Sequence, residues 1–321
     1  MNKNNISGKV VVFTEGGTSI GLGHLTRCVA VSEAIKEEYP EKEIVFMVYG
    51  DSMARDFLEI HGVKINTVNW ADELDEILRG LRDDTMAVID SYLAPEAVYN
   101  SISQKCSGKV LMIDDFCRLK YPEGLVVNYA VFADNKYSFG EQSPRYLLGN
   151  DYVILRKEFW DVGDKLIRKD VEKILISFGG MDFSELLGRV NGYIREKFNI
   201  ECTNIDTLKR KYTAKDMLSL MADTDICISG GGQTLLELAR VGVPAIGVCL
   251  FDNQINNIEM MHHNGFLYNA GWYNSENLLE KISDAIGSLL PGPEREKLSK
   301  TGRDYIDGKG VKRIINSFMN L

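Results

Sequence analysis

The stretch Lys9-Val10-Val11-Val12-Phe13-Thr14-Glu15-Gly16-Gly17-Thr18-Ser19-Ile20-Gly21-Leu22-Gly23-His24-Leu25-Thr26-Arg27-Cys28 decides the fold class. Lys9–Phe13 is a short apolar run of strand length, and the glycines from Gly16 to Gly23 mark a loop. Beyond it, Leu25, Cys28, Val29, Ser32 and Ile35 recur on one face of a helix over His24–Glu37. Strand, glycine loop and helix open a βαβ unit, and the pattern continues. Glu43–Tyr49, Val63–Val68, Met86–Asp90 and Lys109–Ile113 read as further buried strands, and Pro95 suits the first turn of a helix ending near Lys105.

Glu158–Glu172 is charge-rich without strand character and reads as an inter-domain linker. The alternation restarts with a strand at Lys173–Phe178, helices over Glu185–Glu196 and Ala214–Met221, and a strand at Ile226–Ser229. A helix opens near Thr234, and a strand follows at Pro244–Val248. The tail from Ser275 to Leu321 reads as helical, broken by Pro291 and Pro293. The expectation is an α/β protein with two Rossmann-like domains, 1–157 and 173–321, joined by the linker 158–172. Each carries a parallel sheet facing a cleft, and the terminal helices are candidates to pack back on the first domain.

The 321 residues carry 37 Lys+Arg and 46 Asp+Glu, a net charge of −9, with 45% hydrophobic and 26% charged residues. That balance excludes a disordered or fibrous chain, and an acidic surface disfavours nucleic acid as a partner. No apolar stretch reaches the length a membrane span needs, so no membrane insertion is expected, and protein partners are left undefined. The residues Met1–Lys9 lack the apolar core of a signal peptide. Six cysteines at 28, 106, 117, 202, 227 and 249 form no C-x-x-C pair and match no zinc spacing. A reduced, cytoplasmic protein without a metal or NAD cofactor is expected.

Glycine numbers 29 against 7 proline, and its placement is informative. Gly16–Gly23 follows the first strand, Gly179-Gly180 follows the Lys173–Phe178 strand, and Gly230-Gly231-Gly232 lies between the Ile226–Ser229 strand and the next helix. A glycine loop feeding a helix N-terminus offers backbone N–H groups and a positive dipole end, which together hold phosphate. Glycines at such turns also simply relieve backbone strain. Three clusters at equivalent sheet edges favour a phosphate-bearing ligand. Gly21-x-Gly23-x-x-Thr26 lacks the third glycine of the dinucleotide fingerprint, although Asp51 follows the second strand where a ribose-binding acid would stand, and no P-loop is present.

Several segments resemble those of the PseG/SpsG-like family of UDP-sugar hydrolases. Ile20-Gly21-Leu22-Gly23-His24-Leu25-Thr26-Arg27 is similar to its I-G-x-G-H-x-x-R signature, Ile89-Asp90-Ser91-Tyr92 to its D-H-Y segment and Ile113-Asp114-Asp115 to its I-D-D. Gly149 to Phe159 resembles G-x-x-Y-x-L-R-x-E-F, and Phe178-Gly179-Gly180-Met181-Asp182 resembles F-G-G-x-D. Ile228 to Glu237 resembles I-S-A-G-G-S-T-x-x-E, and Asp252-Asn253-Gln254 is similar to D-N-Q. The resemblance implies the GT-B fold shared with MurG-type glycosyltransferases, UDP held mainly by the C-terminal domain, and the sugar facing the N-terminal one. It implies metal-independent hydrolysis of UDP-2,4-diacetamido-2,4,6-trideoxy-β-L-altropyranose at the anomeric carbon, in pseudaminic acid biosynthesis. Two departures bear on the sugar: Phe13-Thr14-Glu15 stands where the family has R-x-D, and Ser91 replaces the histidine of D-H-Y.

His24, at a helix N-terminus whose dipole disfavours imidazolium, is the expected general base that activates water. Ser229, Gly230, Gly231, Gly232, Gln233 and Thr234, with Gly179 and Gly180, are expected to hold the diphosphate. Glu237, a turn into the helix, is expected to accept the ribose hydroxyls. The resemblance implies that Tyr92 and Asn253 contact the sugar and assist catalysis. Gly21, Gly23, Asp114 and Gln254 fall on the sugar side, although Asp114 and Asp115 are equally suited to capping a turn. His262 and His263 are adjacent on a helix and point apart. A GT-B glycosyltransferase using a UDP-sugar donor is the alternative. An NAD-dependent enzyme and a non-catalytic binding subunit are less consistent with these residues.

Overall fold

The computed structural model describes residues 8–70, 72–82, 84–130, 137, 144–179, 182–206 and 209–321, with Asn253 described for its backbone alone. The chain divides into two compact units, Met1–Lys157 with Lys309–Leu321, and Glu158–Gly308.

In unit 1 the chain runs β1 (Val10–Gly16), α1 (Gly23–Glu38), β2 (Ile44–Gly50), α2 (Ser52–Ile60), β3 (Lys64–Thr67) and α3 (Leu74–Gly80). It continues through β4 (Met86–Asp90), α4 (Glu96–Lys105), β5 (Val110–Ile113), β6 (Leu125–Asn128) and β7 (Arg145–Leu148). All seven strands are parallel, in the order β3-β2-β1-β4-β5-β6-β7. Every residue of β1 is buried, as expected for a central strand covered by helices on both faces. The winding reverses between β1 and β4, whose register pairs Thr14 with Asp90. Ligands of such sheets bind beyond the carboxyl ends of the strands at that reversal.

Unit 2 runs β8 (Lys173–Ser177), α5 (Ser184–Phe198), β9 (Glu201–Ile205), α6 (Ala214–Ala222), β10 (Ile226–Gly230) and α7 (Gln233–Val241). Then follow β11 (Ala245–Cys249), α8 (Ile255–His263), β12 (Leu267–Trp272), α9 (Leu278–Leu289) and α10 (Gly292–Tyr305). Its parallel sheet is ordered β12-β11-β10-β8-β9, so its reversal lies between β8 and β10. The core gathers Ile174, Ile176, Ile226, Ile228, Ile246 and Val248 from the strands against Leu187, Val190, Ile282 and Ile286 from the helices. No described helix is long and apolar enough to cross a membrane.

Three expectations are corrected. β1 extends through Glu15 and Gly16, which pair with Tyr49 and Gly50 of β2, while the Glu15 carboxylate accepts from Ser91, Tyr92 and Leu93. Residues 158–172 are not a linker: they form a strap on unit 2. Arg240 donates to the carbonyls of Phe159 and Trp160, each at 3.1 Å, and both side chains are buried. Further along the strap, Arg168 pairs with buried Asp225 at 2.9 Å, and Asp225 also accepts the N–H groups of Glu172 and Lys173. The tail, finally, is divided. Pro291 is the N-cap of α10 and Pro293 lies in its first turn, so the prolines start a helix of unit 2 rather than break one. The last helix, α11 (Gly310–Phe318), belongs to unit 1, where Val311, Ile314, Ile315 and Phe318 are buried and Lys312 meets Glu37 at 2.8 Å.

Candidate active site

One cluster of candidate residues lies at the β1/β4 reversal of unit 1. After β1, Gly17 (φ 141°) and Gly21 (φ 86°) exchange two backbone hydrogen bonds of 3.0 and 2.7 Å that close the glycine loop. Asp51 is the N-cap of α2, accepting Met53 N at 3.0 Å and Ala54 N at 3.4 Å. It also accepts Thr18 N at 2.8 Å, which ties the loop to that helix. Its oxygens are thus committed to capping rather than placed as those of a ribose ligand. The loop delivers Gly23 and His24 as the first two residues of α1, whose N-cap Leu22 supplies no side-chain bond.

His24 is 5% exposed, and its Nδ1 stands 2.6 Å from Asp90 Oδ1. Arg27, one turn along α1, grips the same carboxylate with Nε and Nη2 at 2.8 Å each, and its Nη1 reaches both oxygens of Asp115 at 2.7 and 2.6 Å. Burial pushes the Asp90 carboxyl upward, but the Arg27 charge and the His24 ring outweigh it and hold it below its ordinary value. Burial likewise lowers Arg27, and Asp115 and Asp90 more than reverse it, so the guanidinium stays charged. An ionised carboxylate only accepts, so Nδ1 carries the proton and donates to Asp90. Arg27 Nη2, 3.0 Å from Nδ1, is therefore a neighbouring donor and not a bonded partner. The Nε2 lone pair is left available, and no described residue hydrogen-bonds to it. This is the tautomer a general base needs.

Tyr92, 40% exposed, packs edge-on against His24 with ring centroids 4.3 Å apart at 87°. Its hydroxyl donates to Asp115 Oδ2 at 2.5 Å. Burial and the Asp115 charge raise the phenol well above its ordinary value, so it acts as a donor. Asp114 and Asp115, indistinguishable in the sequence, separate here. Asp114 is buried and accepts Phe116 N at 3.0 Å and the Tyr137 hydroxyl, so its place is in the turn. Asp115 is the one in the His24–Arg27 network. Ser91 and Glu15, the two departures from the family pattern, are bonded to each other.

A separate cluster of candidate residues lies at the β8/β10 reversal of unit 2. Gly179 follows β8 with φ 88°; Gly180 lies outside the described residues. Ser229 is buried, its hydroxyl donating to the Gly230 carbonyl at 3.0 Å. Gly230 and Gly231 are there for lack of room: a Cβ on Gly230 would stand 2.7 Å from Leu250 Cδ1, and one on Gly231 2.8 Å from Gln254 Cβ. Gln254 is a strut, its side-chain oxygen accepting Gly231 N at 3.0 Å and Leu250 N at 3.1 Å. Gly232 is the extended N-cap of α7 and adds no side-chain cap; Gln233 and Thr234 are the first half-exposed residues of that helix. Glu237 is 1% exposed and so is not a solvated helix glutamate. Asn253 lies in the short 3-10 turn Asp252–Gln254, between β11 and α8. Sequence reasoning missed Asp90 and Arg27 and left Asp115 open beside Asp114. The available signal was that all three stand inside the motifs carrying His24, Tyr92 and Asp114.

Residues 163–315 match the glycosyltransferase family 28 C-terminal domain. The chain is 26% identical to an uncharacterised protein, MJ1062, of Methanocaldococcus jannaschii, covering 98% of this chain and 66% of that one. It is 24% identical to the spore coat polysaccharide biosynthesis protein SpsG of Bacillus subtilis over 95% of this chain and 96% of SpsG. It is 23% identical to a Helicobacter pylori protein named as pseudaminic acid cytidylyltransferase and UDP-2,4-diacetamido-2,4,6-trideoxy-β-L-altropyranose hydrolase, over 73% of this chain and 43% of that protein. Among solved structures, MurG of Acinetobacter baumannii superimposes with a TM-score of 0.67 at 13% identity, covering 98% of this chain and all of MurG. The fold is GT-B.

Proposed function

We propose that the protein is a nucleotide-sugar hydrolase. It releases UDP and free sugar from a UDP-linked diacetamido-trideoxy sugar, by attack of water on the anomeric carbon. The observation that carries this reading is the 2.6 Å contact of His24 Nδ1 with Asp90 in the grip of Arg27. His24 Nε2 takes a proton from water as the oxygen bonds to the anomeric carbon. The bond from that carbon to the diphosphate oxygen breaks, and its electron pair leaves with UDP. Asp90 stabilises the imidazolium, while its pairing to Arg27 keeps the proton on the ring. The Gly230–Gly232 loop and the N-terminus of α7 stabilise the charge growing on the diphosphate, and buried Glu237 binds the ribose. The SpsG and Helicobacter relatives support a role in surface polysaccharide or nonulosonic acid biosynthesis. The six cysteines, none of them in a disulfide, fit a reduced, cytoplasmic setting.

The reading asks nothing of a metal, since imidazole moves the proton and backbone N–H groups meet the leaving charge. Candidate UDP-sugars incubated with the protein in heavy-oxygen water, with and without a sugar acceptor and with EDTA, test it. The expected result is UDP release independent of acceptor and chelator, with the label in the sugar. Release that requires an acceptor establishes the glycosyltransferase reading instead, in which His24 deprotonates an acceptor hydroxyl. The family 28 match of unit 2 favours that second reading as much as the first.

A further inference from the structure

The turn that follows β4 is built around a carboxylate that the reaction above does not use. Glu15, next to last in β1, is 0% exposed, and its described hydrogen-bond partners are all neutral donors. Its Oε1 accepts the N–H groups of Tyr92 at 2.7 Å and Leu93 at 3.1 Å, and its Oε2 accepts the Ser91 hydroxyl. Ser91 Oγ in turn accepts Leu93 N at 3.1 Å and Ala94 N at 3.0 Å. Three consecutive N–H groups, those of residues 92 to 94, therefore converge on two side chains. Successive amides arranged in this way make an anion-binding concavity, and here the anion belongs to the chain itself. Arg118 and Tyr99 secure the same turn by donating to the Ser91 carbonyl at 3.0 and 3.1 Å.

At its other end Tyr92 is fastened by its hydroxyl to Asp115, with its ring against His24 on one side and Phe116 at 5.3 Å on the other. A tyrosine 40% exposed would ordinarily sample several rotamers. This one is held at both backbone and phenol. We propose that Glu15 and Ser91 are a positioning pair. They fix the backbone of Tyr92 and, through its ring, the orientation of His24 and the shape of the sugar side of the site. The catalytic part of this proposal rests on the hydrolase reading. The geometry demands glutamate: aspartate at position 15 is shorter by one methylene, about 1.5 Å, which takes the carboxylate out of reach of the Tyr92 and Leu93 amides. An internal carboxylate in the turn also excludes an external phosphate from it, in keeping with a nucleotide held by unit 2.

The test combines amide hydrogen exchange at residues 92–94 with steady-state UDP release, on Glu15→Asp, Glu15→Gln, Tyr92→Ala and the double variant Glu15→Asp/Tyr92→Ala. Glu15→Asp is expected to speed exchange at 92–94 by about tenfold or more and to lower kcat/KM about tenfold. Its effect shrinks to less than about twofold when Tyr92 is already alanine, because the two act through one contact. Glu15→Gln, which keeps an acceptor oxygen for both amides, retains most of the rate. Unchanged exchange, or losses that multiply independently of Tyr92, overturn the proposal. If Glu15→Asp does not fold, Ser91→Ala removes the hydroxyl alone and is judged by the same two outcomes, with exchange read at 93 and 94. Wild-type protein that releases UDP from no UDP-sugar defeats the hydrolase reading, and the exchange measurement then decides the pair by itself.

Discussion

In the proposed reaction Asp90 does two things to His24: it fixes the proton on Nδ1, and it stabilises the cation that forms when Nε2 takes a second proton. Asp90→Asn keeps the shape and loses both, so kcat is expected to fall by about 10²–10⁴, as removal of the orienting acid does in comparable dyads. UDP affinity, which the proposed function assigns to unit 2, should stay within about twofold. Stopped kinetics beside UDP calorimetry separate the two, and a loss confined to UDP binding would refute the assignment. The same residue carries a pH signature. Its carboxyl is held below its ordinary value in the folded state by Arg27 and His24 against the opposing effect of burial. The native state therefore binds that proton less readily than the unfolded chain. The stabilisation is complete above the unfolded value of about 3.9 and is lost as pH falls through the lower folded value. Melting temperatures of the wild type and Asp90→Asn should accordingly converge as pH drops below about 4. His24 was legible in the sequence because a histidine at the end of a glycine loop is conspicuous. Its partners were not, because Asp90 lies 66 residues away and Asp115 lies 88 residues from Arg27, and an acid at a strand end looks ordinary until the sheet brings the ends together.

At the scale of elements, the glycine loop of unit 2 is held open by a side chain from another segment. Gln254 bonds two backbone N–H groups that are otherwise buried without a partner. Gln254→Ala should cost about 1–3 kcal/mol in stability and weaken UDP several-fold, read by thermal unfolding and calorimetry. Gly232→Ala is the control: open space surrounds that Cβ, and the residue has an ordinary negative φ of −89°. The loss of stability there should stay below about 1 kcal/mol. If Gly232→Ala proves the worse of the two, the loop is shaped by backbone freedom and not by the Gln254 strut. The βα alternation was readable from apolar runs because both sheets are parallel and buried. β6, β7, β9 and β12 escaped notice for a related reason. β7, β9 and β12 are edge strands with exposed or half-buried residues such as Arg145, Glu201, Thr203 and Asn269, and the apolar run of β6 is only Leu125–Val127, so none presents the longer run that marks a central strand. Glu15 and Ser91 looked like two separate departures from a motif because nothing in the sequence says that strand ends 76 residues apart share a bond.

At the scale of the molecule, the chain leaves unit 1 after Lys157 and returns to it after Gly308, so the stability of the first unit depends on the last helix made. α11 contributes Val311, Ile314, Ile315 and Phe318 to the interior of unit 1, each fully buried. Full burial of such side chains is worth about 1.5–3 kcal/mol apiece, so four together are comparable with the whole stability of a typical domain. Gly310 has a further reason to be there, since a Cβ at that position would stand 2.2 Å from the Val153 carbonyl. A chain ending at Gly308 is therefore expected to lose the cooperative unfolding transition of unit 1 while unit 2 keeps its own. Calorimetry should show one transition where the full chain supports two, and the truncated protein should still bind UDP while turning over no substrate. Gly310→Ala should lower the unit 1 transition alone. Loss of UDP binding on truncation would mean that unit 2 needs α11 after all, and would move the division of labour away from the one argued for the two reversals. The charge-rich strap 158–172 makes the complementary prediction. Because Asp225 gathers Arg168 and the N–H of Glu172 from the strap and the N–H of Lys173 from β8, Asp225→Ala should destabilise unit 2 by about 1–3 kcal/mol and leave the unit 1 transition in place.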